Sequence, residues 1–237
     1  MNSIGFRVRG RNGGGARACL AALATGVALL APAPASAVKP KLSRVPILLV
    51  HGFESAGSNF ASQAMRFESN GYPTNWVETL DYDSTAATGN MAQVEKQIEE
   101  AIALLKAQSG QSKVDLVGHS EGTSVVYHYL AESEKAAEHR ASVAAYANLD
   151  GQEKNPGVPT LAVWAGRCGD ATCSKPERNM PGAENVTIPN ATHVQTSTSL
   201  ETFQRMFKFF TGKRAKRDIR RVSKKSTIQL AGKALEF

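Results

Sequence analysis

Val114-Asp115-Leu116-Val117-Gly118-His119-Ser120-Glu121-Gly122 is the stretch on which the reading of this 237-residue chain turns. An apolar run, a Gly-x-Ser-x-Gly pentapeptide and a helix-compatible segment from Thr123 to Leu130 follow one another without a spacer. A strand that must reverse into a helix within a few residues forces the serine between them into a cramped backbone conformation. Gly118 and Gly122, two positions to either side, leave room for that turn, and the strain lifts the Ser120 hydroxyl clear of the sheet. Ser120 is therefore the candidate nucleophile.

Outward from this elbow the chain alternates. Val45 to Val50 is a continuous apolar run suited to a buried parallel strand, leading into His51-Gly52-Phe53. Phe60 to Asn70 reads as a helix stopping at Gly71, and Trp76 to Tyr82 as a strand. A helix is expected from an Asn90/Gln93 cap to about Ala107, with Val94, Ile98, Ile102 and Leu105 as its apolar stripe. The elbow helix is expected to reach about Ser133. Strands are expected over Ala141 to Leu149, Pro159 to Ala165 and Glu184 to Ile188. A last amphipathic helix spans Leu200 to Phe210, with a Thr198/Glu201 capping box and Phe203, Phe207 and Phe210 as core residues. The pattern predicts an α/β fold with a mostly parallel sheet of about six strands and helices on both faces. In open sheets of this kind sites lie at the carboxyl ends of strands, where His51, Ser120, Asp150, Asp170 and His193 all fall.

The chain divides into three parts. Residues 1–37 read as a secretory signal peptide: Arg7, Arg9, Arg11 and Arg17, a short apolar run from Ala18 to Ala31, and Ala35-Ser36-Ala37 before a cut after Ala37. Residues 38–212 form the catalytic body, with 15 basic and 19 acidic residues, and 213–237 a basic tail. The net charge of +7 thus belongs to the tail: eight basic residues against Asp218 fall between Lys213 and Lys225. No nucleic-acid motif or aromatic interleaving accompanies those charges, so a weak contact with anionic envelope surfaces is the partner considered. Cys168 and Cys173, in an exported chain, can close a small loop disulfide. No cysteine or histidine spacing suggests a zinc site, and no metal or cofactor is expected. The chain is expected to be a monomer and to be exported.

A serine hydroxyl needs a base within hydrogen-bond reach, and the base needs a carboxylate to fix its tautomer. The elbow and its alternating setting resemble the α/β-hydrolases, in which the order along the chain is serine, acid, histidine. After Ser120 come His128, within the elbow helix, His139, in a charged segment read as exposed, and His193, in a loop after the last strand. His193 is the candidate base. The acid is Asp150 or Asp170. The fold more commonly takes it from the later strand, which favours Asp170, although Cys168 and Cys173 bracket it and give its loop a reason of its own. The backbone N–H groups of Phe53 and Glu121 are the candidate oxyanion donors.

His51-Gly52-Phe53 with Ser58-Asn59-Phe60, Gln63 to Phe67, Asn70-Gly71-Tyr72-Pro73, Val114 to Gly122, Leu149-Asp150-Gly151, Val158 to Trp164 and Thr192-His193-Val194-Gln195 resemble the class-2 lipases. The likeness is greatest to their secreted archaeal and bacterial lipase/carboxylesterase branch. It spans roughly Ile47 to Asp218. It implies a hydrolase of small ester or lipid substrates, and it moves the acid to the Leu-Asp-Gly position, Asp150, with Asp170 as runner-up. Two departures bear on the substrate. Ser84 to Asn90 is all that separates a strand from its helix where lid-bearing members insert a long segment. Thr227 to Phe237 looks like only the opening strand of the small C-terminal β domain of relatives. Both shift the expected substrate from bulk fat toward smaller esters.

Overall fold

The computed structural model describes residues 44–85, 89–167 and 178–220. The leader, Cys168, Asp170, Cys173 and the strand expected over Thr227 to Phe237 lie outside them. Six strands form one sheet: β1 (Ile47–Val50), β2 (Val77–Leu80), β3 (Val114–His119), β4 (Val143–Leu149), β5 (Thr160–Ala165) and β6 (Glu184–Ile188). Their spatial order is β2-β1-β3-β4-β5-β6, and every neighbouring pair is parallel. The helices are α1 (Ala61–Ser69), α2 (Met91–Ser109), α3 (Glu121–Tyr127), α4 (Ala136–Ala141), α5 (His193–Thr198) and α6 (Leu200–Thr211).

The inner strands are buried on both faces, which is why β1 reads as an unbroken apolar run, while the edge strands β2 and β6 are partly exposed. Ile47 and Leu49 pack with Phe67 of α1 and Phe203, Met206, Phe207 and Phe210 of α6. Leu48 and Val50 point the other way, onto Val94, Ile98, Ile102 and Leu105 of α2 and Val125 and Val126 of α3. The strand order reverses at β1, which has β2 on one side and β3 on the other. In such sheets sites lie at the switch point outside the carboxyl ends, which is where both His51-Gly52-Phe53 and Ser120 fall. Residues 81–90 are the whole connection from β2 to α2, too short for a long lid.

Several local expectations change. The elbow helix does not continue regularly to Ser133: after Tyr127 it widens into a π-helical turn, His128–Glu132. The segment read as charged and exposed holds α4, and His139 is buried there against Tyr129 and Glu99. Asn90 does cap α2, but its side chain donates to Gln93 Oε1 rather than serving the helix amides. The cap of α6 is Ser199, which accepts from Thr202 N, because Thr198 is already the last residue of α5.

Candidate active site

Ser120 is held by the geometry that its flanking glycines permit. Its φ of 54° and ψ of −123° lie in a region that residues with a Cβ seldom occupy. A Cβ on Gly122 would fall inside contact distance of the carbonyl oxygens of Val50 and His51. One on Gly118 would lie 2.9 Å from Gly122 O. The glycines therefore let β3, the elbow and the end of β1 pack backbone to backbone. Ser120 N donates to Leu149 O at 3.0 Å, and Thr123 Oγ1 donates to Ser120 O at 2.7 Å. Among the described residues nothing hydrogen-bonds the Ser120 hydroxyl, so it can rotate into the crevice.

Asp150 follows β4 directly, also with positive φ (52°), and is almost fully buried. Its Oδ2 accepts from His193 Nδ1 at 2.7 Å, a contact between residues 43 apart in the chain. Its Oδ1 accepts from Ala165 N and from Arg178 Nη1, each at 3.0 Å. Burial alone would raise its pKa, but the bonds from His193 and the Ala165 amide and the Arg178 charge outweigh burial and hold it below the ordinary 3.8. Its contribution to stability is thus present above that ordinary value and is lost as pH falls through the depressed one.

His193 is the first residue of α5 rather than part of a loop. Thr192 accepts from Gln195 N while the Gln195 side chain accepts from Thr192 N, a reciprocal cap that sets where the imidazole starts. Because Nδ1 donates to the carboxylate, Nε2 remains the acceptor. Ser120, Asp150 and His193 line one cavity of about 420 Å³, together with Glu121, Ser124 and Gln152 among others. Gly52 closes on the serine: a Cβ there would lie 2.9 Å from Ser120 Cβ. The turn after β1 is thereby packed against the elbow. Phe53 itself exposes 55% of its surface.

Two contributors, Arg178 and His119, were not singled out from the sequence. Arg178 clamps Asp150, and also reaches Glu153 Oε1 at 3.1 Å and the carbonyl of Gly151, with its guanidinium 4.4 Å from the centre of the Trp164 ring. His119, the residue before Ser120, donates from Nε2 to the His193 carbonyl at 3.0 Å and lies 4.7 Å from its ring. Burial, then the neighbouring His193, pushes its pKa down to about 4, so it serves as a neutral strut. His51 stacks on Tyr82, whose hydroxyl donates to the His51 carbonyl at 2.7 Å. The Gly-x-Ser-x-Gly spacing does not specify a residue such as His119, and Arg178 lies 28 residues from Asp150, the carboxylate it holds.

Residues 44–142 match the family model described as lipase (class 2). That span includes the elbow and ends before Asp150 and His193. Among solved structures, a lipase of Bacillus licheniformis, BlEst2 in its mature form, superposes with a TM-score of 0.55 at 13% identity, over 73% of this chain and 94% of its own. Tomato methylketone synthase I, complexed with 2-tridecanone, gives 0.51 at 12% identity over 70% and 97%. The product of gene lin2722 from Listeria innocua gives 0.50 at 13% identity over 74% and 97%. At these identities the likeness is one of fold. The parallel sheet and these neighbours give the chain the α/β-hydrolase fold, and its residues 44–142 are similar to the class-2 lipases.

Proposed function

We propose that this chain is a secreted serine hydrolase of carboxylic esters, with Ser120 as nucleophile, His193 as base and Asp150 as the acid that orients it. The observation that carries the reading is the 2.7 Å bond from His193 Nδ1 to Asp150, beside a strained Ser120 in the same cavity. His193 Nε2 takes the Ser120 proton as Oγ attacks the ester carbonyl, and Asp150 stabilises the imidazolium. The amides of Phe53 and Glu121 hold the tetrahedral oxyanion. The imidazolium then protonates the departing alcohol, and water activated by the same ring releases the acid.

The side chains of Glu121, Ser124, Gln152 and Glu153 around the nucleophile favour short- to medium-chain esters or acylglycerols over bulk fat. Export rests on the leader sequence. The basic tail supplies a weak contact with anionic envelope surfaces, and the protein acts as a monomer.

In the purified protein, Ser120→Ala is expected to lower hydrolysis of p-nitrophenyl esters by at least about 10⁴-fold. A fluorophosphonate probe should label the parent and not the variant. Activity near the parent's in Ser120→Ala would end the proposal. With so short a connection after β2, rates should also rise smoothly through the solubility limit of the substrate; a steep jump there would contradict an open site.

Arg178→Gln tests the clamp. The Arg178 charge helps hold the Asp150 carboxyl below its ordinary value, so its removal lets that carboxylate take up a proton at higher pH. On acidification the variant's kcat/KM is expected to fail at a higher pH than the parent's. A merely structural loss would lower activity without displacing that limb.

A further inference from the structure

Away from the crevice, α2 and α4 bring together three side chains of another kind. Glu95 and Glu99 stand one turn apart on α2 and so share a face. His139, on α4, meets them across 40 residues of chain from Glu99, and one ligand atom from each of the three lies within 4.8 Å of the others. The His139 ring is buried and stacks on Tyr129 with centroids 3.7 Å apart.

The imidazole is preset. Its Nδ1 lies 2.7 Å from the Tyr129 carbonyl, which can only accept, so Nδ1 carries hydrogen. The π-helical turn is what presents this carbonyl: Tyr129 O and Leu130 O accept from His139 and Arg140 side chains. A ring N–H fixed on a backbone carbonyl is the usual support of a metal-binding histidine, and π turns recur at functional sites. A neutral ring then aims the Nε2 lone pair at Glu99 Oε1, 3.0 Å away, acceptor against acceptor. A proton on Nε2 would relieve that contact alone. A cation between the groups relieves it and also answers the second carboxylate converging from Glu95.

We propose that Glu95, Glu99 and His139 form a divalent metal site that ties α2 to α4. One imidazole nitrogen and two carboxylate oxygens, with no thiolate, suit zinc, water completing a tetrahedron. Lys135 Nζ, 2.9 Å from the same Glu99 oxygen, competes from the solvent side; its side chain is 56% exposed, and such a pair yields readily. Ser133 Oγ donates to Glu95 Oε1 at 2.9 Å and steadies that ligand. The ligands are drawn from two helices far apart in sequence, which is why cysteine and histidine spacing did not suggest them. The site is independent of the esterase proposal.

The test uses the full chain, freed of metal by a chelator and then dialysed. Zinc chloride is followed by calorimetry and by melting, and cobalt(II) by its visible absorption. One ion per chain is expected, with Tm rising by about 5–10 °C at a hundredfold excess over Kd. Glu95→Gln and Glu99→Gln should each lose most of that metal-induced rise, whatever their own Tm. Lys135→Ala should keep or enlarge it, since the competing ammonium is gone. Absence of binding, or an equal rise in the parent and Glu99→Gln, overturns the proposal. So does a Lys135→Ala protein that is merely destabilised and indifferent to zinc, the behaviour of a plain imidazolium–carboxylate network.

Discussion

Asp150→Asn is expected to lower kcat by about 10⁴-fold with little change in KM, by forcing the wrong tautomer on His193. The direction follows from the two sides of the carboxylate. Ala165 N and Arg178 Nη1 both donate to Oδ1, so the oxygen of an asparagine amide is held on that side. Its NH2 must then face His193, where Oδ2 now accepts from Nδ1. The imidazole can meet a donor only with a bare Nδ1, which moves its proton to Nε2 and removes the lone pair that Ser120 needs. Asp170→Asn should retain activity near the parent's. If Asp170→Asn suffers the large loss while Asp150→Asn does not, the acid is Asp170.

Gly122→Ala is expected to cost about 1–3 kcal/mol of stability, as overpacking of a tight interior commonly does. The added methyl would press on the carbonyl oxygens of Val50 and His51, and no side-chain rotation can clear backbone atoms. Relief requires α3 to move away from the end of β1. That motion separates the Glu121 amide from the turn carrying Phe53, so kcat/KM should also fall, by about 100-fold for a displacement near 1 Å. Gly118→Ala should be milder, since part of its crowding is the Tyr146 hydroxyl, 3.0 Å away on a side chain. Melting curves and steady-state kinetics on both variants check the order. Equal behaviour of Gly122→Ala and the parent would show that the elbow is less tightly packed than described.

Much of this architecture could be read from local pattern. The Ile47–Val50 run, the α2 stripe and the Phe203, Phe207 and Phe210 face are buried as their periodicity implies. His139 was misread because Glu138 and Arg140 beside it suggest a solvated surface. Its partners, Glu99 and the Tyr129 carbonyl, belong to other elements. By contrast, Thr192 and Gln195 do carry the capping-box spacing of a helix that opens at His193, a sign passed over because the helix is only six residues long.

The sequence by itself determined the alternating fold and the place of Ser120. Apolar periodicity and the backbone freedom of Gly118 and Gly122 act over a few residues and leave their mark there. Only the tertiary structure decided which carboxylate meets His193. That choice depends on β4 lying beside β5, with Leu149 opposite Val163, so that Asp150 emerges next to Ala165 and under Arg178. Contacts of this kind arise from strand order and register, and residues 43 positions apart carry no local sign of them.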